Sequence, residues 1–306
     1  MKKAQSIQFN WIFVVVSGVI ILLFFMGFGL RYVDLQKSKE NADIARSIDK
    51  IINGLKGQEQ YKEIDISAEF NYQFNCDSFK INDDYTQNLN GKIVFSDRNI
   101  KVKNLYAWAK EFRTVFKIDN LVYLVDPRKN FFLIRDGNEN YVDELKQGMP
   151  SIFDDVRAIN FDDISRLEIK NSNNLFVFFN QPTEDQLSFV KNSGKYMTID
   201  TGKKIAIFDD GKSQKTLNDA LVYGAIFSGN YEGYECGFEA LSKKFDIIKS
   251  IYIKKSENLQ KCCSSGFCDY GKINSYLGIF SIENEDYDLL IALNNDLYNN
   301  ECRVVF

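Results

Sequence analysis

The chain of 306 residues contains no histidine. Histidine is the commonest general base, the usual partner of catalytic Ser and Cys, and the commonest ligand of transition metals. Its absence excludes the usual hydrolase triads and histidine-based metal centres. The sequence also lacks G-x-S-x-G, Walker and G-x-G-x-x-G motifs, so the common ester-hydrolysing and nucleotide-binding loops are excluded too. We predict no cofactor.

Positive charge and proline are both scarce. Lys and Arg number 38 against 42 Asp and Glu, and only three prolines occur. Binding to nucleic acid needs a concentrated positive surface, so a nucleic-acid partner is not expected. There is also no polybasic cluster for anionic lipid. Because the chain holds 26 Phe and 16 Tyr, it can bury a large core.

An uncharged apolar stretch spans Trp11–Leu30 and contains no proline. A helix of that length rises ~30 Å, the thickness of the hydrocarbon layer. The lipid bilayer is therefore the first predicted partner, with the chain a single-pass protein of the cell membrane. The alternative is a cleaved signal peptide with a site at 27–29, but its apolar core would be shorter, ~7–15 residues.

The orientation of this segment is read from charge and from the cysteines. Lys2 and Lys3 precede it, whereas Arg31 and further basic residues follow it. Long domains cross membranes largely regardless of charge, and disulfides need an oxidising compartment. We therefore predict an inside N-terminus and an extracytoplasmic C-terminal domain.

The first residues resemble a known signal. Lys2-Lys3-Ala4-Gln5-Ser6 directly before the apolar helix is similar to the class III signal peptide of archaeal pilin-like proteins, although Ala4 stands where Gly is usual. The resemblance implies cleavage between Ala4 and Gln5 with the helix retained. The opening at 9–13 also resembles uncharacterised single-pass membrane proteins of small-genome archaea. Both resemblances cover about the first thirty residues, and the alternative is a plain signal anchor.

Helical periodicity continues beyond the apolar stretch. Apolar residues recur three or four positions apart in Arg31–Leu55, and neither Pro nor Gly interrupts the chain between Leu30 and Asn53. We predict one helix ending near Gly54. The predicted fold class is α+β: a transmembrane helix extended into a long amphipathic helix, then an extracytoplasmic mixed α/β domain with disulfides. The predicted parts are 1–30 (tail and transmembrane helix), 31–57 (helical stalk), 58–159 (β-rich subdomain) and 160–306 (α/β subdomain with a long helix and a Cys cluster).

Three patterns predict the elements of the β-rich part. Strict alternation over Ile64–Cys76 indicates a strand with Cys76 on its buried face. Trp108, Phe112 and Phe116 at four-residue spacing favour a short helix, with an aromatic ligand platform as the alternative. The apolar runs 121–125 and 131–134 flank a Pro-containing turn and indicate a hairpin.

A strand–helix–strand unit follows. Thr183 and Gln186 have the spacing of a capping box after the apolar run 175–179. Asp209 and Asp210 come just after a predicted strand, at 205–208, and ligands of α/β folds bind at carboxyl ends of strands. The pair is thus a candidate Mg²⁺ or Ca²⁺ site, with a solvated Asp-Gly turn as the alternative.

Six cysteines in an anchored domain indicate disulfides, and zinc is disfavoured because C-x-x-C hooks are absent. The six candidates are Cys76, Cys236, Cys262, Cys263, Cys268 and Cys302. A predicted long helix separates Cys236 from Cys262 by ~39 Å, beyond the ~7 Å limit between bonded Cα atoms. Cys236 should therefore pair with Cys76 or Cys302, while Cys268 is near enough in sequence to reach Cys262 or Cys263.

These patterns favour a non-enzymatic role. We expect an anchored structural or binding protein, such as a pilin-like or cell-surface assembly component with protein partners. The alternative is a membrane-anchored metal- or carboxylate-dependent hydrolase that uses Asp209 and Asp210.

Overall fold

One helix, α1, runs from Lys2 to Leu55. The computed structural model describes residues 2–57, 59–164, 173–263, 268–283 and 287–306, with the backbone alone for 2–10 and 67–68. The helix ends at Leu55, and a turn at residues 56–57 follows it. The prediction of a continuous helix ending near Gly54 is therefore confirmed. The rest of the described chain is a mixed α/β domain built on two six-stranded sheets.

The first sheet has the strand order β3-β2-β1-β5-β6-β4. Its neighbouring strands are antiparallel except for β4 and β6, which run parallel. Its strands span β1 Tyr61–Asn75, β2 Ser78–Ile81, β3 Tyr85–Asn88, β4 Val94–Ser96, β5 Asn99–Arg113 and β6 Lys117–Val125. The register between β1 and β5 shifts between Asp65 and Phe70, so the two strands are not paired continuously along their length.

The second sheet has the order β12-β11-β10-β9-β7-β8. Strands β8, β7, β9 and β10 are parallel. At one edge β11 pairs antiparallel with β10, and β12 pairs antiparallel with β11. Its strands span β7 Asn130–Ile134, β8 Val156–Ile159, β9 Asn174–Phe178, β10 Lys195–Asp200, β11 Ile205–Phe208 and β12 Ser213–Lys215. The predicted strand–helix–strand unit is β9, α4 and β10.

Seven α-helices accompany the sheets within the described residues. They are α2 Glu139–Gln147, α3 Phe161–Ile164, α4 Glu184–Ser193, α5 Asp219–Ser228, α6 Tyr231–Cys263, α7 Tyr270–Ile279 and α8 Tyr287–Asn299. The capping box of α4 forms as predicted, since the Thr183 side chain accepts from the Gln186 backbone and the Gln186 side chain accepts from the Thr183 backbone. From Ala220 to its end α5 is buried, because it packs inside the largest core cluster.

Both sheets are covered on two faces. Along β6, Leu121 and Tyr123 belong to the largest core while Val122 and Leu124 pack with α1. Along β7, Phe131 and Leu133 belong to the largest core, whereas Phe132 and Ile134 join a smaller cluster with α3 and α4. Strands buried on both faces lose strict alternation and appear as continuous apolar runs.

Two predicted elements are wrong. The stretch containing Trp108 and Phe112 is strand β5, not a helix. The apolar runs 121–125 and 131–134 form no hairpin, because the first lies in β6 of one sheet and the second in β7 of the other. The turn at 126–129 therefore carries the chain between sheets. The predicted boundary at residue 160 runs through the second sheet, since β7 and β8 precede it.

Candidate functional site

The apolar segment of α1, Trp11–Leu30, is exposed along its length. Trp11 and Phe13 are each 71 % exposed, and an 18-residue window has a mean hydropathy of 2.7 with none of it buried. Within the described residues this is the one helix that is long and apolar enough to cross a membrane, by length and composition. Among the described residues, none from the rest of the chain covers its apolar surface.

The rest of α1, the amphipathic segment Arg31–Leu55, joins the domain. Ala45, Ile48 and Ile52 are fully buried against the first sheet. They lie three and four residues apart, which places them on one face of the helix. The exposed segment and this core helix are thus parts of one continuous element.

Polar contacts fix the amphipathic segment further. The buried Lys92 amine lies 2.6 Å from the Asp49 carboxylate. Asn41 donates to Asp84 at 3.1 Å and accepts from Asn82 at 2.7 Å. These side chains come from the loop ahead of β4 and the turn between β2 and β3, so the helix is bound to the sheet at two separate places.

An open cleft of about 470 Å³ lies beside this helix and is lined in part by Asp34, Glu40, Glu69 and Asp84. Acidic groups of this kind suggest a cation. Two of them already have partners within the domain, because Asp84 accepts from Asn41 and Glu69 pairs with Lys101 at 3.5 Å. No group of three or more Cys, Asp or Glu in the described part of the chain is placed to hold a metal ion.

Each of the six cysteines lies beside another. The sulfurs of Cys76 and Cys236 are at bonding distance, with their Cα atoms 4.8 Å apart. This is one of the two pairings that the length of α6 left open for Cys236. Cys76 itself is not on a buried strand face as predicted, because it follows β1 in a turn with φ of 50°. Its side chain is half-buried.

The remaining cysteines pair differently from the sequence expectation. Cys268 meets Cys302, with Cα atoms 5.9 Å apart, rather than Cys262 or Cys263. Cys262 and Cys263 are neighbours in the chain and their own sulfurs are in contact. Sequence proximity was misleading because the segment after α8 returns to the start of α7, where the Tyr270 hydroxyl donates to the Arg303 carbonyl at 3.0 Å.

Asp209 and Asp210 lie in the exposed turn between β11 and β12. The Asp210 carboxylate accepts from the Lys212 backbone at 3.0 Å, which is the ordinary hydrogen bond of an Asp turn. Since β11 is antiparallel to β10, its carboxyl end lies at the opposite edge from the carboxyl ends of the parallel strands. Nothing in the described part of the chain adds to the hydrolase alternative, which stays a prediction.

The true carboxyl edge of the parallel strands holds Asp136, which follows β7. Its carboxylate accepts from the Gln186 side chain at 3.2 Å and the Phe161 backbone at 3.2 Å, and its carbonyl accepts from Asn180 at 2.7 Å. Ligands of such sheets bind here, and the Asp-Gly pair after an apolar run was the sequence signal that we missed. In this structure the carboxylate joins β7, α3 and α4.

A pocket of about 190 Å³ lies between Tyr141 and the start of α5. The Tyr141 hydroxyl donates to the Asp219 carboxylate at 3.1 Å. Burial, followed by the nearby Asp219 charge, raises the pKa of Tyr141 well above its usual value of 10.0. Tyr141 is therefore a proton donor, not a base, at neutral pH.

Trp108, the centre of the proposed ligand platform, is buried and its ring lies 4.9 Å from that of Tyr223. Phe112 and Phe116 are buried too. The three rings serve as core, so the structure places no aromatic platform here.

A partly buried polar cluster joins three distant parts of the chain. Asp97, in the turn between β4 and β5, accepts from Lys129 at 3.1 Å and from Asn230 at 3.0 Å. Lys129 precedes β7, and Asn230 lies between α5 and α6. The side chain of Lys129 is only 7 % exposed. This cluster was not predictable from the sequence, because no local spacing links its members.

The proposed cleavage site at Ala4 and Gln5 lies in the helical start of α1, and its side chains fall outside the described residues. No protein family, no curated protein and no solved structure matches the chain.

Proposed function

We propose that the chain is a membrane-anchored surface protein of pilin-like architecture, whose folded domain lies outside the cytoplasm and contributes structural or binding surface to a protein assembly. The observation that carries the proposal is the division of α1. Its apolar segment is exposed while its amphipathic segment is part of the core of the domain.

The hydrophobic effect supports a bilayer around the apolar segment. Fully burying a large apolar side chain is worth about 2 kcal/mol relative to leaving it in water. Most side chains from Trp11 to Leu30 are large, apolar and exposed. A lipid bilayer covers such a helix on all sides, and the length of the segment matches its hydrocarbon layer, ~30 Å.

The cysteines support an extracytoplasmic domain. All six lie at bonding distance in pairs, and disulfides persist in oxidising compartments rather than in the cytoplasm. Lys2 and Lys3 before the apolar segment fit an N-terminus on the cytoplasmic side.

Membrane extraction tests the anchor. The full chain should stay with membranes after alkaline carbonate washing. Ile20→Arg with Leu23→Arg should release it, because an arginine at the bilayer centre costs about 2.5–3.5 kcal/mol on insertion scales. Asp34→Arg with Gln36→Arg adds the same residues just beyond the apolar segment and should leave anchoring intact. Release of the unmodified chain by carbonate would overturn the proposal.

The side of the membrane and the pilin-like start need separate measurements. Protease added outside intact cells should digest the folded domain. N-terminal sequencing should begin at Gln5 if the class III signal is used, and Ala4→Asp should block that cleavage. An intact Met1 on an anchored protein would remove the pilin-like part of the proposal and leave the anchor.

A further inference from the structure

The polar cluster of Asp97, Lys129 and Asn230 brings together a carboxylate, an amine and a primary amide. These are the groups needed to form an amide cross-link between two side chains. An amine and a primary amide contact the two oxygens of one carboxylate, Lys129 on Oδ2 at 3.1 Å and Asn230 on Oδ1 at 3.0 Å. The amine and the amide are therefore held on either side of a group that can move protons between them. This geometry is independent of the proposed anchoring.

The Lys129 amine is held away from water. Its side chain is 7 % exposed, and Nζ lies 5.6 Å from the centre of the Phe131 ring. A Cβ on Gly229 would collide with Nζ, so the amine lies against the backbone next to Asn230. Lysine is seldom buried to this degree.

The Asn230 amide is placed as an electrophile. Its Oδ1 accepts from the Gly233 backbone N–H at 2.8 Å, at the first turn of α6. Attack on Cγ would put negative charge on that oxygen. A backbone N–H at the positive end of a helix stabilises such charge. The Nδ2 atom, which would leave, already donates to Asp97 and to the Ser228 carbonyl.

We propose that Lys129 and Asn230 form an intramolecular isopeptide bond, with Asp97 carrying the proton. The Asp97 carboxylate takes a proton from the Lys129 ammonium, and neutral Nζ attacks Cγ of Asn230. Asp97 then passes that proton to Nδ2, the Cγ–Nδ2 bond breaks and ammonia leaves. Nζ gives up its second proton to Asp97 as the amide forms, and the ammonia carries this proton away as ammonium. The products are one Nζ–Cγ amide and one ammonium ion, so the step needs no oxidant and no cofactor.

Intact mass tests the proposal on the full chain. The protein is purified, reduced, alkylated and measured under denaturing conditions, so that disulfides make no contribution. The expected mass is below that of the mature sequence by one ammonia. Peptide mass spectrometry should find one branched peptide joining the segments around Lys129 and Asn230, which also separates this loss from cyclisation of an N-terminal Gln5.

Matched variants test which residues form the cross-link and whether Asp97 is needed. Lys129→Arg keeps a buried cation, and Asn230→Ser keeps a residue that caps helices; both should have the full mass. Asp97→Asn keeps both reactants and should lose most of the cross-link. Lys92→Arg changes another buried, carboxylate-paired lysine and should still lose ammonia.

Three outcomes would contradict the proposal or one of its parts. A full mass for the unmodified protein would leave Asn230 a simple helix cap beside a Lys129–Asp97 ion pair and would overturn the proposal. Loss of one water with a peptide joining Lys129 to Asp97 would overturn the assignment to Asn230. Complete ammonia loss in Asp97→Asn would overturn the role of Asp97.

Discussion

At the scale of single residues, two glycines set how closely the helices approach the first sheet. Gly224 in α5 and Gly237 in α6 both face the ring of Phe95 in β4. A Cβ on Gly224 would come within 2.9 Å of that ring and one on Gly237 within 2.5 Å. Carbon atoms do not pack so closely, so both positions need hydrogen in place of a side chain.

We expect Gly237→Ala to destabilise the folded domain by about 1–3 kcal/mol, the usual cost of forcing extra atoms into a packed core. Denaturant unfolding measures this change. Gly278→Ala is the matched control, because a Cβ there meets nothing within 4 Å and alanine favours helices. An unchanged midpoint for Gly237→Ala would show that Phe95 moves aside.

Buried tyrosines are the second feature at this scale. Tyr123 donates to the Ala220 carbonyl at 2.7 Å, Tyr223 to that of Leu145 at 2.8 Å and Tyr234 to that of Lys215 at 2.5 Å. Burial raises the pKa of all three hydroxyls above 10.0, with Tyr123 and Tyr234 the most affected. Each phenol is therefore kept protonated by the fold.

These shifts predict a loss of stability in alkali. A raised pKa means that above pH 10 the folded state holds protons that the unfolded state has released, so the free energy of unfolding falls as pH rises. We expect it to be level near pH 8 and to fall beyond about pH 10. Denaturant titrations across that range measure it. Tyr123→Phe should weaken the dependence, whereas Tyr298→Phe, at a side chain 73 % exposed, is the matched control.

At the scale of elements, the amphipathic segment of α1 is a core helix of the domain. We expect Ile48→Ala to cost about 2–5 kcal/mol, because it removes a fully buried side chain from the contact with the first sheet. Lys50→Ala, two residues on and exposed, should change stability by no more than about 0.5 kcal/mol. Equal effects of the two variants would mean that this segment is not packed on the sheet.

Elements with one local signal were predictable, and those set by tertiary pairing were not. The capping box of α4 and the helical periodicity of α1 depend on residues close together in sequence. Both elements form as predicted. Trp108 and Phe112 are four apart, a spacing that places residues on one face of a helix and also on one face of a strand. Because this stretch pairs with β1 and β6, it is a strand.

The candidate sites followed the same division. Asp209 was chosen for its place after a strand, but the direction of that strand relative to its neighbours decides which edge it reaches, and direction is set by pairing. Asp136 and the cluster around Asp97 depend on residues far apart in sequence. The choice of Cys76 or Cys302 for Cys236 followed from helix length alone, and the structure brings Cys76 to it.

At the scale of the whole molecule, the cysteine pairs close loops of very different length. Cys76 and Cys236 are separated by 160 residues, and Cys268 and Cys302 by 34. In the chain-entropy account a disulfide stabilises by restricting the unfolded chain, roughly 5 kcal/mol for the longer loop and roughly 4 for the shorter. The adjacent pair, Cys262 and Cys263, closes no loop of this kind.

We therefore expect Cys76→Ser with Cys236→Ser to lower the free energy of unfolding most, Cys268→Ser with Cys302→Ser somewhat less, and Cys262→Ser with Cys263→Ser hardly at all. Denaturant unfolding of oxidised protein gives the order. Thiol counting before and after reduction is the control. Six free thiols without reductant would contradict the disulfides themselves.

The unbroken course of α1 couples the orientation of the folded domain to that of the apolar segment, which we propose lies in the membrane. No glycine or proline lies between Leu30 and Asn53. Rotating the apolar segment about the helix axis therefore rotates the folded domain with it. Inserting one residue after Asp34 would rotate the domain by about 100° about the helix axis relative to the apolar segment. Inserting three or four residues, about one full turn, would nearly restore the original orientation. If the apolar segments of two copies pair, α1 would then set the angle between their folded domains.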